Sequence, residues 1–396
     1  MRASQEMIRR YSFNLDTIKG ERIKKKHYYT CMSTYVILNY DKNFMSFDDT
    51  ITGLYRSVIF SFPSKKIVCF SPPKSIPYSI FLAKSPVIND DIYINEAIEG
   101  ISINLFYDKN ISKWNISTKS SIGGKYWFYG KKNNDNQKQY TFLEMFLDAL
   151  REPIDKELND IAILEYLPKD YCYNFVLQHS SNSIIFTVNK STLYLIGVYL
   201  IDNNDVEFIP QVEYQEWNIF RHNNGVIQFP KSYIVPNYNE LDTHLMAKGY
   251  MITNMQTGER TKVINKRYED IKSLVKIKPV VQYQFLCMNQ VGKEKNNEYL
   301  TLFPRFKKEF YFLRNLYNEF IMGVFESYLS RYIHKENIPI LAKYESHIYK
   351  IYHNVYLPRL DKYTITKIRY KNVVDYFNKM EPRELFYILN WDSRNL

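Results

Sequence analysis

Residues 95 to 108, NEAIEGISINLFYD, hold a pattern of nucleotide chemistry with one atom group missing. In a strand, residues i and i+2 share a face, so a lysine and an acid two positions later can enter one pocket. The following glycine lets backbone approach a ligand closely. A K-x-(D/E)-G arrangement of this kind presents an amine that attacks a nucleotide α-phosphate and holds it as a phosphoramidate. Here the first position is Ala97, with Glu99 and Gly100 in place behind it. A methyl group cannot attack phosphorus, so the stretch is expected to bind without reacting, with Ala97 and Glu99 on the same pocket-facing side. Taken alone, x-x-E-G is also what a strand entering a turn looks like.

A second chemical candidate, Cys172 with His179 in CYNFVLQH, fails on spacing, because an odd separation of seven puts the two side chains on opposite faces of one strand. His334, His347 and His353 follow no metal-binding spacing. Cys31, Cys69, Cys172 and Cys287 are scattered without a C-x-x-C pair, which argues against a zinc module or a disulfide framework and for a reducing compartment. No phosphate-binding G-x-x-x-x-G-K-[ST] loop, G-x-G-x-x-G turn or G-x-S-x-G elbow occurs.

The elements that would position such a site are readable along the chain. From about residue 30 to 265, short runs rich in β-branched and aromatic residues recur, among them RSVIFSF, KIVCFS, INLFYD, CYNFVLQH, SIIFTV, TLYLIGVYLI and YMITNM. A helix is expected at TFLEMFLDALRE, where Phe142, Met145, Phe146 and Leu150 recur at helical spacing. KKNNDNQKQ at 131 to 139 reads as an exposed loop. After Tyr268 the periodicity becomes helical, clearest at 305 to 333, where Phe306, Phe310, Leu313, Tyr317, Phe320 and Val324 form a stripe. The fold class is therefore α+β followed by a mainly helical C-terminal domain, with a boundary near 270. Residues 1–30 form a basic N-terminal segment, 31–270 the site-bearing domain and 271–396 a basic helical domain.

The 396 residues carry a net charge of +11, with 45% hydrophobic residues, 36 Tyr and 25 Phe. Residues 271 to 396 hold 21 Lys and Arg against 12 Asp and Glu, leaving +9 there. Cations interleaved with rings suit a nucleic acid, which offers phosphates and stackable bases. Arg305, Lys307, Lys308 and Arg314, at the start of the long helix, are the expected nucleic-acid contacts. The longest apolar runs fall short of the roughly 20 residues of a membrane helix, and MRASQEMIRR lacks the apolar core of a signal peptide. The expectation is a cytoplasmic protein with no membrane partner.

The order of segments resembles the phage-type RNA ligase 1 branch of the ATP-dependent covalent nucleotidyltransferases. YRSVIF (55–60) resembles the upstream arginine strand, and CFSPPKSIPYSIF (69–81) the lysine-containing approach to the nucleophile motif. EAIEGISINLFYD stands in the nucleophile motif's place, followed by ISTKSSIGG (116–124). CYNFVLQHSSNSIIF resembles the F-E-x-V segment, KGYMITN the E-G-x-V strand and RTKVINKRYEDI the final lysine motif. PPKSIP, YNFVLQH and TGERTKV also resemble an RNA-ligase-like group of large DNA viruses. The resemblance implies an ATP-grasp-like ligase domain of antiparallel sheets with flanking helices, with ATP and Mg²⁺ as cofactors if nucleotide binding is retained. It implies that Arg56, Lys74, Glu99, Gly100, Lys248 and Lys262 surround the nucleotide and its phosphates. It also implies RNA ahead of DNA as partner, other viral proteins as further partners, and a host-cytoplasmic or virion location.

The departures fall at four sites: Ala97 for the nucleophile, Asn174 for the acid of F-E-x-V, Lys248 for the acid before Gly249, and Ile264 for the second basic residue of the last motif. Three functions remain open on the sequence. They are a nucleic-acid-binding protein that has lost covalent adenylylation, an active ligase using another lysine such as Lys74, and a structural or protein-interaction subunit.

Overall fold

The computed structural model describes residues 10–18, 22–47, 51–126, 140–183, 185–186, 188–221, 225–241, 248–274, 281–360 and 367–394. The loop expected at 131–139 lies outside them. The chain divides into two compact units, Met1–Glu269 and Asp270–Leu396.

The first unit is α+β and holds three sheets. The largest has the strands Arg10–Ser12, Asp205–Ile209, Thr192–Asp202, Tyr171–Gln178, Ile101–Asp108 and Lys113–Ser117 in that order, antiparallel throughout, with Ile227–Gln228 added in parallel against 192–202. A second sheet is an antiparallel meander of Ile23–Tyr29, Thr34–Tyr40, Val58–Phe62 and Lys66–Phe70. The third runs Ser232–Tyr233, Ile92–Glu96, Gly249–Asn254, Arg260–Ile264. Arg10–Ser12 and Ile23–Tyr29 both pair into sheets, so strands of this unit already begin inside the basic N-terminal segment.

The near-continuous apolar runs mark strands covered on both faces. Val58, Ile59 and Phe60 are fully buried, as are Cys172, Tyr173, Phe175 and Leu177. Phe60, Phe70 and Val36 of the meander pack against Tyr199 and Phe208 of the large sheet. The opposite face of the large sheet receives the helix Phe142–Ala149, through Phe142, Met145 and Phe146 against Ile103, Phe175 and Leu195. A capping box fixes that helix's start: Thr141 accepts from the Glu144 N–H, and the Glu144 carboxylate accepts from the Thr141 N–H. SIIFTV behaves differently from its composition, since Ile185 and Phe186 stand outside any strand.

The second unit is helical, with Val281–Val291, Lys293–Leu302, Lys307–Tyr328, Ala342–Ile351, Tyr370–Asn378 and Pro382–Leu389 as its longer helices. Its core is aromatic: Phe285 meets Phe310 edge-on at 5.5 Å, and Phe320 meets Phe377 at 5.7 Å. His347 is part of this packing, and burial together with Lys350 pushes its imidazole down to about 4. Among the described residues no helix is long and apolar enough to cross a membrane.

Candidate functional site

The strand Ile92–Glu96 belongs to the third sheet and the strand Ile101–Asp108 to the largest, so residues 97 to 100 carry the chain from one sheet to the other. A pocket of about 1000 Å³, counted with the solvent at its mouth, opens at this crossing. Ala97 lines it, and its N–H donates to Gly249 O at 2.8 Å. Gly100 lines it too, and no other residue fits there, because a Cβ would collide with the Leu177 carbonyl oxygen. Gly249 is under the same constraint against the Val263 carbonyl oxygen, with φ +131°.

Four cations line this pocket: Arg56, Lys248, Arg260 and Lys262. Lys248 Nζ donates to Ile98 O at 3.1 Å, which holds the ammonium beside the place a nucleophile at 97 would occupy. Arg260 is buried and its guanidinium is gripped by the proline pair of the PPK segment, Nε donating to Pro73 O at 2.9 Å and Nη2 to Pro72 O at 3.2 Å. Burial, with the Arg56 charge beside it, pushes Arg260 down to about 10. Arg56 is also lowered by burial, partly offset by the Tyr40 and Tyr199 phenol groups.

Lys262 keeps contact with solvent in the pocket, yet protein crowds its remaining sides. That crowding first, and then Arg260, Lys248, Arg56 and Lys74, push its amine down to about 7. Burial is the first cause of each lowered pKa, and for Arg260 and Lys262 neighbouring cations add to it, a cost that a bound anion would relieve.

Two expected residues stand elsewhere. Lys74 is not among the pocket-lining residues; its Nζ donates to Ser75 O at 3.1 Å and lies 5.5 Å from the Phe47 ring centroid. It still feels Arg56 and Arg260, which add to burial in lowering its pKa. Glu99 is a correction. It is buried and does not share the pocket side with Ala97, because strand alternation stops at Glu96 and resumes only at Ile101. Its Oε1 accepts from the Ile185 N–H at 2.9 Å and the Phe186 N–H at 3.3 Å. These bonds take up the N–H groups of Ile185 and Phe186, the two residues found outside any strand.

Asn174 is fully buried; its Nδ2 donates to Phe70 O at 2.9 Å and Asn104 Oδ1 at 3.0 Å. Cys172 Sγ lies 3.4 Å from Cys69 Sγ, while His179 Nδ1 accepts from the Ser181 N–H, so the two do not form a dyad. Arg305, Lys307, Lys308 and Arg314 are all exposed in the second unit.

Sequence reasoning missed Arg260, Asn95 and Lys119. Lys119, in ISTKSSIGG, lies 4.3 Å from the Tyr40 ring centroid, and burial followed by Lys42, Arg56, Lys74 and Lys24 lowers its pKa. Asn95 lines the pocket and donates through Nδ2 to Gln211 Oε1 at 2.6 Å, while its buried Oδ1 has no hydrogen-bond partner among the described residues. Tyr199, Phe208 and Tyr214 line the cavity as well.

The residues fit an anion, and a flat donor-bearing ring could satisfy the Asn95 oxygen. They do not fit Mg²⁺. Such an ion takes oxygen ligands, usually including a carboxylate, and Glu96 is the one carboxylate among the described lining residues. Burial raises its pKa, with Lys231 pulling it back.

No protein-family model and no curated protein matches the sequence. Among solved structures, an archaeal ATP-dependent RNA ligase matches with TM-score 0.41 and 9% identity over 89% of this chain and 91% of that one. An Aquifex aeolicus protein assigned as an ATP-dependent DNA ligase matches with TM-score 0.41 and 12% identity over 78% and 76%. A Naegleria gruberi RNA ligase solved with AMP and Mn matches with TM-score 0.32 and 13% identity over 45% of this chain and 51% of that chain. At these values, residue roles in this chain follow from its own geometry.

Proposed function

We propose that the chain is a nucleic-acid-binding protein on a ligase-like architecture, which holds a terminal phosphate or nucleotide in the pocket without bonding to it. The observation that carries this is that Arg56, Lys248, Arg260 and Lys262 line the same pocket as Ala97. The cations supply attraction for a phosphate. The amine position supplies none of the chemistry. Arg305, Lys307, Lys308 and Arg314 would hold the strand's phosphates, with RNA ahead of DNA by the resemblance of the motifs. A viral source, a cytoplasmic or virion location and viral protein partners rest on that resemblance alone.

The reading is tested by incubating the protein with ATP and Mg²⁺ and measuring both its melting temperature and its intact mass. A rise in melting temperature with unchanged mass is expected. A mass gain of one nucleotide would overturn it.

One observation favours a second reading, in which a non-standard lysine performs nucleotidyl transfer. Lys262 stands in the pocket with an amine lowered to about 7, which favours the uncharged, nucleophilic form over that of an ordinary lysine. In that case its Nζ would attack the α-phosphorus of ATP, pyrophosphate would leave, and peptide mapping would find AMP on Lys262. The lack of a fit for Mg²⁺ makes this the lesser reading.

A further inference from the structure

The helix Lys307–Tyr328 has one apolar face committed to the core through Phe310, Tyr317, Phe320, Ile321, Val324 and Tyr328. It nevertheless carries two large rings pointing away from that face: Tyr311 is 71% exposed and Phe312 61%. Isolated exposed rings are ordinary, but adjacent ones with a charged surround ask for a partner. On a helix, positions three and four apart are neighbours. Tyr311 therefore has Lys307, Lys308 and Arg314 on three of its four neighbouring positions and Asn315 on the fourth, with no acid among them. Phe312 has Lys308, Glu309, Asn315 and Leu316. Among the described residues no carboxylate forms an ion pair with Lys307, Lys308 or Arg314.

We propose that this face is a platform for single-stranded nucleic acid, on which Tyr311 and Phe312 stack against unpaired bases while Lys307, Lys308 and Arg314 neutralise the flanking phosphates. The proposal rests on the nucleic-acid reading above but not on the pocket. Charge alone would accept a duplex equally well. The rings decide for a single strand, because a paired base has both faces covered by its neighbours whereas an unpaired one can lay a π-face on a side chain. The border of Tyr311 is cationic and that of Phe312 holds one lysine and one acid, so the attraction for phosphates centres on Tyr311.

The test uses the full chain and hydroxyl-ended oligonucleotides of about 12 nucleotides, within the site size of such platforms, so that end recognition by the pocket is not read. Fluorescence anisotropy should show Y311A/F312A binding the single strand roughly tenfold or more weakly with its log-salt slope unchanged. Y311W/F312W should restore the affinity. K307E/K308E should weaken binding and flatten the slope. A duplex of equal length should bind more weakly than the single strand and ignore Y311A/F312A. Circular dichroism checks that the helices persist, and an exposed aromatic-to-alanine change favours helix. Wild-type affinity in Y311A/F312A, or equal affinity for duplex, would overturn the platform. So would a self-associating wild type that Y311A/F312A makes monomeric without loss of oligonucleotide binding, which would assign the face to a second copy. Failure of end-phosphate preference with this result intact would instead remove the pocket reading alone.

Discussion

Lys248 and Ile98 are joined across two strands' ends: the Lys248 ammonium donates to the Ile98 carbonyl at 3.1 Å, one residue beyond Ala97. The Ala97 N–H is itself tied to Gly249 O, the residue after Lys248. A cation is thus tied to the backbone next to Ala97, and a site lined this way suits an anion.

Restoring the amine alone is therefore expected to fail. The A97K variant, incubated with ATP and Mg²⁺, should gain no nucleotide by intact mass, because the new ammonium would face Lys248 and the lining offers Glu96 as its lone described carboxylate. A nucleotide adduct on residue 97 would refute the account of the pocket as non-reactive.

Anion binding should depend on pH through Lys262. Its free amine sits at about 7, so below that value it is protonated and attracts an anion, which in turn raises its pKa in the complex. Sulfate, whose charge is constant in this range, should bind most tightly near pH 6 and lose affinity as pH rises past about 7. The K262M variant should show a flat profile by calorimetry. In the ligand-free protein the same amine binds fewer protons folded than unfolded, so its contribution makes stability rise with pH between about 7 and 10.5.

Lys262 and Lys74 are not equivalent. Lys262 faces the pocket, whereas Lys74 lies outside the lining with its ammonium on Ser75 O. Loss of a charged contact at Lys262 should weaken binding of an end-phosphorylated oligonucleotide roughly tenfold or more, while K74A should cost less than that through its longer-range charge. Equal losses in titrations of the two variants would contradict this geometry.

Gly100→Ala should destabilise the protein, since the added Cβ meets the Leu177 carbonyl and the Val176 side chain. Overpacking of this kind costs about 1–3 kcal/mol. Urea unfolding would measure it, and an unchanged midpoint would show that the sheet-to-sheet crossing is looser than described.

Much of the fold was legible in two patterns: a continuous apolar run, TLYLIGVYLI, became the strand Thr192–Asp202, and apolar residues at helical spacing marked TFLEMFLDALRE as the helix Phe142–Ala149. Within SIIFTV, Ile185 and Phe186 are as apolar and lie outside any strand, their N–H groups bonded to a distant carboxylate, Glu99. Glu99 was misplaced for a related reason: alternation holds only within a strand, and the chain changes sheets between Glu96 and Ile101. Arg260 was invisible as a site residue because what fixes it, the carbonyls of Pro72 and Pro73, lies 188 and 187 positions away. Lys262 could be found from its motif, but its lowered pKa depends first on burial and then on Arg260 of its own strand and on Lys248, Arg56 and Lys74 from distant segments.

The most direct test of the pocket is to compare two oligonucleotides of one sequence, one ending in a phosphate and one in a hydroxyl, in equilibrium binding at the same salt. The end-phosphorylated strand should bind roughly tenfold or more tightly, and K262A should abolish the difference without lowering the unfolding midpoint. Equal affinity for the two ends in the wild-type protein would contradict a phosphate-holding pocket around Ala97.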